Sequence, residues 1–177
     1  AQVLANGGVA GLILLIWHFN PAPILFLLYG ASVAAVTADT WATELGLLSK
    51  SSPRSILTFQ PVAPGTSGGL SFVGTLGAAL GSLVLAGLSV GLAPEAVLSG
   101  RAGTAFLIMA SAGFLASLVD SLLGATVQAR FVCDRCGKAT EKKVHCGGEA
   151  TRLVGGARWM DNDAVNVLAA LSGALLA

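Results

Sequence analysis

The chain has 177 residues, of which 54% are hydrophobic, only 11% are charged and 23 are glycine, with a formal net charge of +1. Soluble domains carry about one quarter charged residues, so this composition excludes an ordinary soluble enzyme and marks a membrane protein. A net charge so near zero says nothing about partners until its distribution is followed, and no nucleic-acid partner is expected.

Segments 3–17, 22–38, 70–92 and 104–123 are long, nearly uncharged runs rich in Leu and Ala. Each approaches the ~20 residues that a helix needs to cross ~30 Å of hydrocarbon. A fifth run begins near Val165 and is still apolar at Ala177. The predicted fold is therefore all-α, a polytopic transmembrane helix bundle with about five spans. The first residue is Ala rather than Met and no signal-peptide pattern is visible, so the chain is expected to be an internal portion of a larger membrane protein. It divides into membrane helices over 1–130 with a cytoplasmic loop at 39–69, a Cys-rich insertion at 131–158, and a truncated final helix at 159–177. All belong to one membrane domain.

Five spans leave four connections, and the charge is unevenly shared among them. The first (18–23) has no Lys or Arg, and the third (93–103) has only Arg101. Lys50 and Arg54 lie in the second, and Arg130, Arg135, Lys138, Lys142, Lys143, Arg152 and Arg158 in the fourth (124–160). Connections two and four must share a side, and the positive-inside rule places that side in the cytoplasm.

The polar residues gather there too. VTADTWATELG (36–46) sets Asp39 and Glu44 at the close of an apolar run. If the helix continues, Asp39, Ala42, Thr43 and Gly46 share a face, whereas Glu44 lies about 140° from Asp39. Asp120 repeats the pattern, with Ser117, Gly124 and Gln128 on its face. In PGTSGGLS (64–71), Gly65, Gly68 and Gly69 permit amides to point one way, Thr66, Ser67 and Ser71 add hydroxyls, and a helix N-terminus follows. That combination suits phosphate, with Lys50 and Arg54 available for further charge. WMDNDAVN (159–166) offers Asp161 as an N-cap and Asn162, Asp163 and Asn166 as ligands, and Asn6 stands in QVLANGG. Ionisable groups at membrane depth are costly, so the reading is a site built from Asp39, Asp120 and Asp163 as Mg²⁺-binding acids. The alternative is that these acids cap helix ends or pair with loop lysines.

FVCDRCGKATEKKVHCGG (131–148) contains every cysteine, as Cys133-x-x-Cys136 followed by His145-Cys146. Thiols on the cytoplasmic side stay reduced, so the spacing predicts a small zinc-ribbon-like insertion holding structural Zn²⁺. Adjacent residues on a strand point apart, which leaves one of His145 and Cys146 as a candidate bystander.

Taken in order, QVLANGGVA, TADTWATELG, PGTSGGLSFVGTLGA, DSLLGATVQ, the C-x-x-C…HCGG segment and WMDNDAVN resemble the transmembrane protein 19 or phytyl-phosphate kinase-like family, long known as a domain of unknown function. The match covers the whole chain, although many members carry Asn where Ser67 stands. Asp39-x-x-Ala42-x-x-x-Gly46 is also similar to a motif of CTP-dependent polyprenol kinases and phosphatidate cytidylyltransferases, and PGTSGG is similar to a loop of the latter. The resemblance implies an isoprenyl monophosphate kinase using a nucleoside triphosphate, CTP or ATP, with Mg²⁺. Its binding residues are then Lys50, Arg54, Gly65, Thr66, Ser67, Gly68 and Gly69, with Asn6, Glu44, Gln128, Asn162 and Asn166 around them. Three other functions compete: a cytidylyltransferase of a membrane lipid, a lipid or ion transporter, and a scaffold that uses its zinc ribbon to hold a protein partner. A transporter predicts polar residues at mid-span and on both sides, and a scaffold leaves Asp39 and Asp120 unexplained.

Overall fold

The computed structural model describes residues 2–177. Helix α1 (Gln2–Phe19) leads through a tight turn into α2 (Pro23–Gly46), whose proline at the first turn costs no hydrogen bond. The next connection folds back on itself, with β1 (Arg54–Ser55) antiparallel to β2 (Gly69–Leu70). Helix α3 (Phe72–Leu92) follows, capped by the Ser71 hydroxyl accepting from the Gly74 amide at 3.0 Å. A single turn, α4 (Glu95–Leu98), precedes α5 (Ala102–Thr126).

The insertion is built of short strands. β3 (Arg130–Val132) lies between β4 (Ala139–Thr140) and β7 (Arg152–Gly155), and β5 (Val144–His145) pairs with β6 (Glu149–Ala150). Its base is tied to the bundle by Ala129 N–H to Met160 O at 2.8 Å and Ala157 N–H to Val127 O at 2.9 Å. Helix α6 (Asn162–Leu176) closes the chain, with Asp161 accepting from the Ala164 amide at 3.1 Å as its cap. Asp161→Ala is expected to lower stability by about 1 kcal/mol, read as a shifted thermal midpoint of the detergent-solubilised protein.

Among the described residues, four helices, α1, α2, α3 and α5, are long and apolar enough to cross a membrane, and α6 is a shorter apolar helix of 15 residues. The fold is thus mostly helical and fits a membrane bundle. Helix α2 is its hub, packing against α1, α3, α5 and α6. Ala31, Ala34, Ala35 and Ala38 are buried along it, and glycines of three neighbours press onto it. A Cβ on Gly113 of α5 or on Gly173 of α6 would lie 2.7 Å from the Cβ of Ala34 or Ala35, and one on Gly77 of α3 would lie 2.7 Å from Trp41 O. Lipid offers no hydrophobic drive between helices, so such close backbone approach is what holds them together. An apolar cluster of Phe26, Ala86, Ala105, Met109 and Ala110 fills the end near the short turns.

The helices run further than the apolar runs. The spans expected to close at residues 38 and 123 continue to Gly46 and Thr126, so Asp39, expected to open the second connection, lies within α2, and that connection begins at 47 rather than 39; Asp120 lies within α5. Polarity does not stop α2, because Thr37 and Thr40 donate their hydroxyls back to Val33 O and Val36 O at 2.9 Å.

Candidate functional site: an acid pair under a glycine-rich loop

At the end of the bundle where connections two and four meet, a cavity of about 360 Å³ opens between α2, α3, α5 and the loops above them. Its floor is Asp39 from α2 and Asp120 from α5, whose carboxyl groups lie within interacting reach of one another. Asp120 Oδ1 is fully enclosed and has no hydrogen-bond partner among the described residues. Two adjacent carboxylates in a half-buried setting repel unless positive charge, a metal ion or a proton, is shared between them. Helical spacing makes the pairing possible: Ala42 and Gly46 from the Asp39 face, and Ser117 and Gly124 from the Asp120 face, line the same cavity.

The 64–69 loop forms one wall. β1–β2 pairing and the Ile56 N–H to Gly68 O bond at 2.9 Å fold it back over α5. Gly68 has φ +76°, and a Cβ there would lie 2.7 Å from Ser121 O, so only glycine lets the loop sit this close. Gly65, Thr66, Ser67, Gly68 and Gly69 all line the cavity. Two of the expected donors are engaged within the turn: the Thr66 hydroxyl donates to Ala63 O at 2.7 Å and the Gly69 amide to Thr66 O at 2.9 Å. The amides of Gly65, Ser67 and Gly68 make no hydrogen bond among the described residues. The N-terminal turn of α3, with Ser71, Gly74 and Thr75, faces the same space and contributes the positive end of its dipole.

Gln128 closes the inner side. Its side chain is 3% exposed, it lines the cavity, and its Nε2 has no partner among the described residues. Behind the acid pair lies a recess of about 10 Å³, bordered by Asn6 and Asn166. Helix α6 therefore presents Asn162 to the cavity and Asn166 to the recess, one turn apart.

Several expected residues fall elsewhere. Asp163 lines neither space, because it lies about 100° around α6 from Asn162. Glu44 is exposed on the outer face of α2, as its angular offset from Asp39 requires. Lys50 is exposed, and the Arg54 guanidinium donates to Phe59 O at 2.9 Å, stapling its own loop instead of reaching the cavity. One residue was missed. Glu141 lines the cavity and accepts a hydrogen bond from the Ser67 hydroxyl. In KATEKK it reads as part of a solvated charge run, and no local signal distinguishes it. The lining residues thus include three carboxylates and no Lys, Arg or His among the described residues.

The four Cys and His side chains also converge: ligand atoms of Cys133, Cys136, His145 and Cys146 lie within 4.8 Å of one another. His145 Nδ1 is 3.5 Å from Cys136 Sγ and 3.2 Å from Cys146 Sγ. The expected divergence of neighbours does not occur, because Cys146 has φ +43° and leaves the strand in a left-handed turn. The backbone amide of Cys136 facing the Cys133 sulfur holds that thiol below its ordinary value. The amide of Lys138 does the same for Cys136. Cys146 is pushed up to about 11, first by its hydrogen bond with Cys136 and next by burial.

Comparison with known proteins fits this architecture. A profile of the family described as integral membrane protein DUF92 matches residues 1–174. Protein PGR of Arabidopsis thaliana is 35% identical over 189 residues, covering 96% of this chain and 64% of that protein. An uncharacterised membrane protein of Methanocaldococcus jannaschii is 40% identical over 128 residues, covering 70% of this chain and 49% of its own length. Another, from Synechocystis, is 35% identical over 130 residues, covering 72% and 48%. The chain spans about half to two thirds of the length of these relatives. No solved structure matches.

Proposed function

We propose, from the premise that the chain belongs to the integral membrane protein family DUF92, that it is a membrane-embedded phosphotransferase converting an isoprenyl monophosphate to the diphosphate with a nucleoside triphosphate. The observation that carries this reading is the Asp39–Asp120 pair, with its enclosed and unpartnered Asp120 Oδ1, beneath a glycine-rich loop. Hard carboxylate oxygens are the donor set that Mg²⁺ takes, so Asp39 and Asp120 fit that ion. When bound, it would neutralise phosphate charge that no cationic side chain lining the cavity among the described residues neutralises.

The chain's own groups supply position. Free amides of Gly65, Ser67 and Gly68, the α3 N-terminus and Gln128 Nε2 can hold phosphate oxygens. An oxygen of the prenyl monophosphate attacks the γ-phosphorus, a new P–O bond forms, the β–γ bridge breaks, and the nucleoside diphosphate departs. The acceptor oxygen arrives already ionised, so no strong general base is required. A site where helices meet loops lets the prenyl chain stay in hydrocarbon while its phosphate meets the nucleotide. The concentration of Lys and Arg in connections two and four favours a cytoplasmic position for this end.

Incubating purified protein with Mg²⁺, labelled triphosphate and prenyl monophosphates is expected to give labelled prenyl diphosphate. Release of inorganic diphosphate with a nucleotidyl-lipid product would instead favour the cytidylyltransferase, and no product with either nucleotide would defeat both. A transporter fits less well, because the cavity and the recess share one pair of acids at one end of the bundle.

A further inference from the structure

The Cys-rich insertion is joined to the cavity at one point. Glu141 follows β4 and precedes β5, so it lies between Cys136 and His145, two of the four converging side chains. Its carboxylate accepts from Ser67 of the glycine-rich loop, and it lines the same cavity as Asp120. Local bonds hold the turn beside it: Thr151 donates its amide to Lys143 O at 3.1 Å and its hydroxyl to Lys142 O at 2.7 Å, and the Lys142 amide donates to Thr140 Oγ1 at 3.2 Å, but none of these engages the Glu141 side chain. Residues 141–143 lie between two-residue strands, Glu141 is exposed, and the insertion's ion pair, Arg152–Asp134 at 3.3 Å, is solvent-exposed. Exposed pairs contribute little stability, and five short strands bury little apolar surface. The knuckle geometry is different in kind: four ligands converge, and the left-handed turn at Cys146 serves that convergence at a conformational cost.

We propose that Cys133, Cys136, His145 and Cys146 bind one zinc ion, and that this ion fixes the 137–145 segment so that Glu141 is held against Ser67 as a third wall of the cavity. Three thiol sulfurs and one imidazole nitrogen form a complete tetrahedral set for zinc, with no ligand position left open for chemistry. Glu141 is a positioning residue: it acts through Ser67, fixing the loop that faces the acid pair. The functional part rests on the phosphotransferase reading, but zinc content and loop order are measured without turnover.

The full chain, purified without chelator, is expected to contain one zinc per chain by elemental analysis. Stripping it with a zinc-selective chelator should accelerate hydrogen exchange of the Thr66 and Gly69 amides, which are hydrogen-bonded within the loop, about tenfold, the scale of losing one charge-assisted hydrogen bond. Glu141→Gln should keep the zinc and accelerate the same two amides by a similar factor, and stripping that variant should add little more at either. In the phosphotransfer assay, Glu141→Gln should raise the Mg²⁺ concentration for half-maximal rate about tenfold, a shift that a purely structural role would not produce. The proposal is overturned if the protein carries iron or no metal. It is also overturned if stripping loosens 131–148 while exchange of the Thr66 and Gly69 amides stays unchanged. Absence of turnover in the unaltered protein would defeat the phosphotransferase reading alone.

Discussion

Asp39→Asn is expected to cut phosphotransfer turnover by about a hundredfold or more, the scale of losing one preorganised electrostatic group. The substitution keeps shape and removes charge. Asp39 sits on the hub helix among small residues, so the amide fits where the carboxylate did, and circular dichroism should show the bundle intact. Asp120→Asn should cost as much, and the double variant little more than either single one, since the two acids act as a unit. Prenyl-phosphate binding should be much less affected, because the loop amides and Gln128 are untouched. Glu44→Gln, on the exposed outer face of α2, should stay near the unaltered rate. Near-full activity in both folded Asp variants would show that the metal assignment is wrong.

The second large effect is at Gly68. Alanine there would carry a left-handed backbone costing about 1–2 kcal/mol, and its Cβ would lie 2.7 Å from Ser121 O. The atoms it would meet belong to Ser121 and Ala125 of α5, whose helical backbone cannot yield, so the loop must lift from α5, and turnover should fall about tenfold or more as the amides leave the acid pair. Zinc content should be unchanged. Gly65→Ala separates the two causes: Gly65 has φ +79° but nothing within 4 Å of an added Cβ, so strain acts without collision and the loss should be smaller. Equal losses at the two positions would show that contact with α5 is not what orders the loop.

Much of the membrane bundle was legible because hydrocarbon imposes a length and a charge rule on sequence, and Asp39 and Asp120 stood out against that background. Where the helices end was not legible from apolarity alone. Thr37 and Thr40 look like the close of a span, yet their hydroxyls are satisfied by the helix's own carbonyls and α2 runs on. On α6 the spacing allowed either Asp163 or Asn162 to reach the site, and only the direction from which α6 approaches α2 and α5 selects the asparagine. Lys50 and Arg54 were drawn in by sign, but a basic side chain in a loop finds the nearest carbonyl, as Arg54 does at Phe59. Glu141 was hidden for the opposite reason: its partner, Ser67, is far away in sequence, and contacts between two irregular segments leave no periodicity to read.

The position of α2 has a thermodynamic consequence. It packs against α1, α3, α5 and α6, and it carries Asp39. A ligand that bridges Asp39 and Asp120 therefore clasps the element that every long helix shares, and its binding free energy is linked to unfolding of the assembly as a whole. At a hundredfold excess over its dissociation constant, such a ligand adds about 2.7 kcal/mol to the folded state. Melting temperature measured against divalent-cation concentration thus becomes a binding isotherm for the acid pair, available before any substrate has been identified.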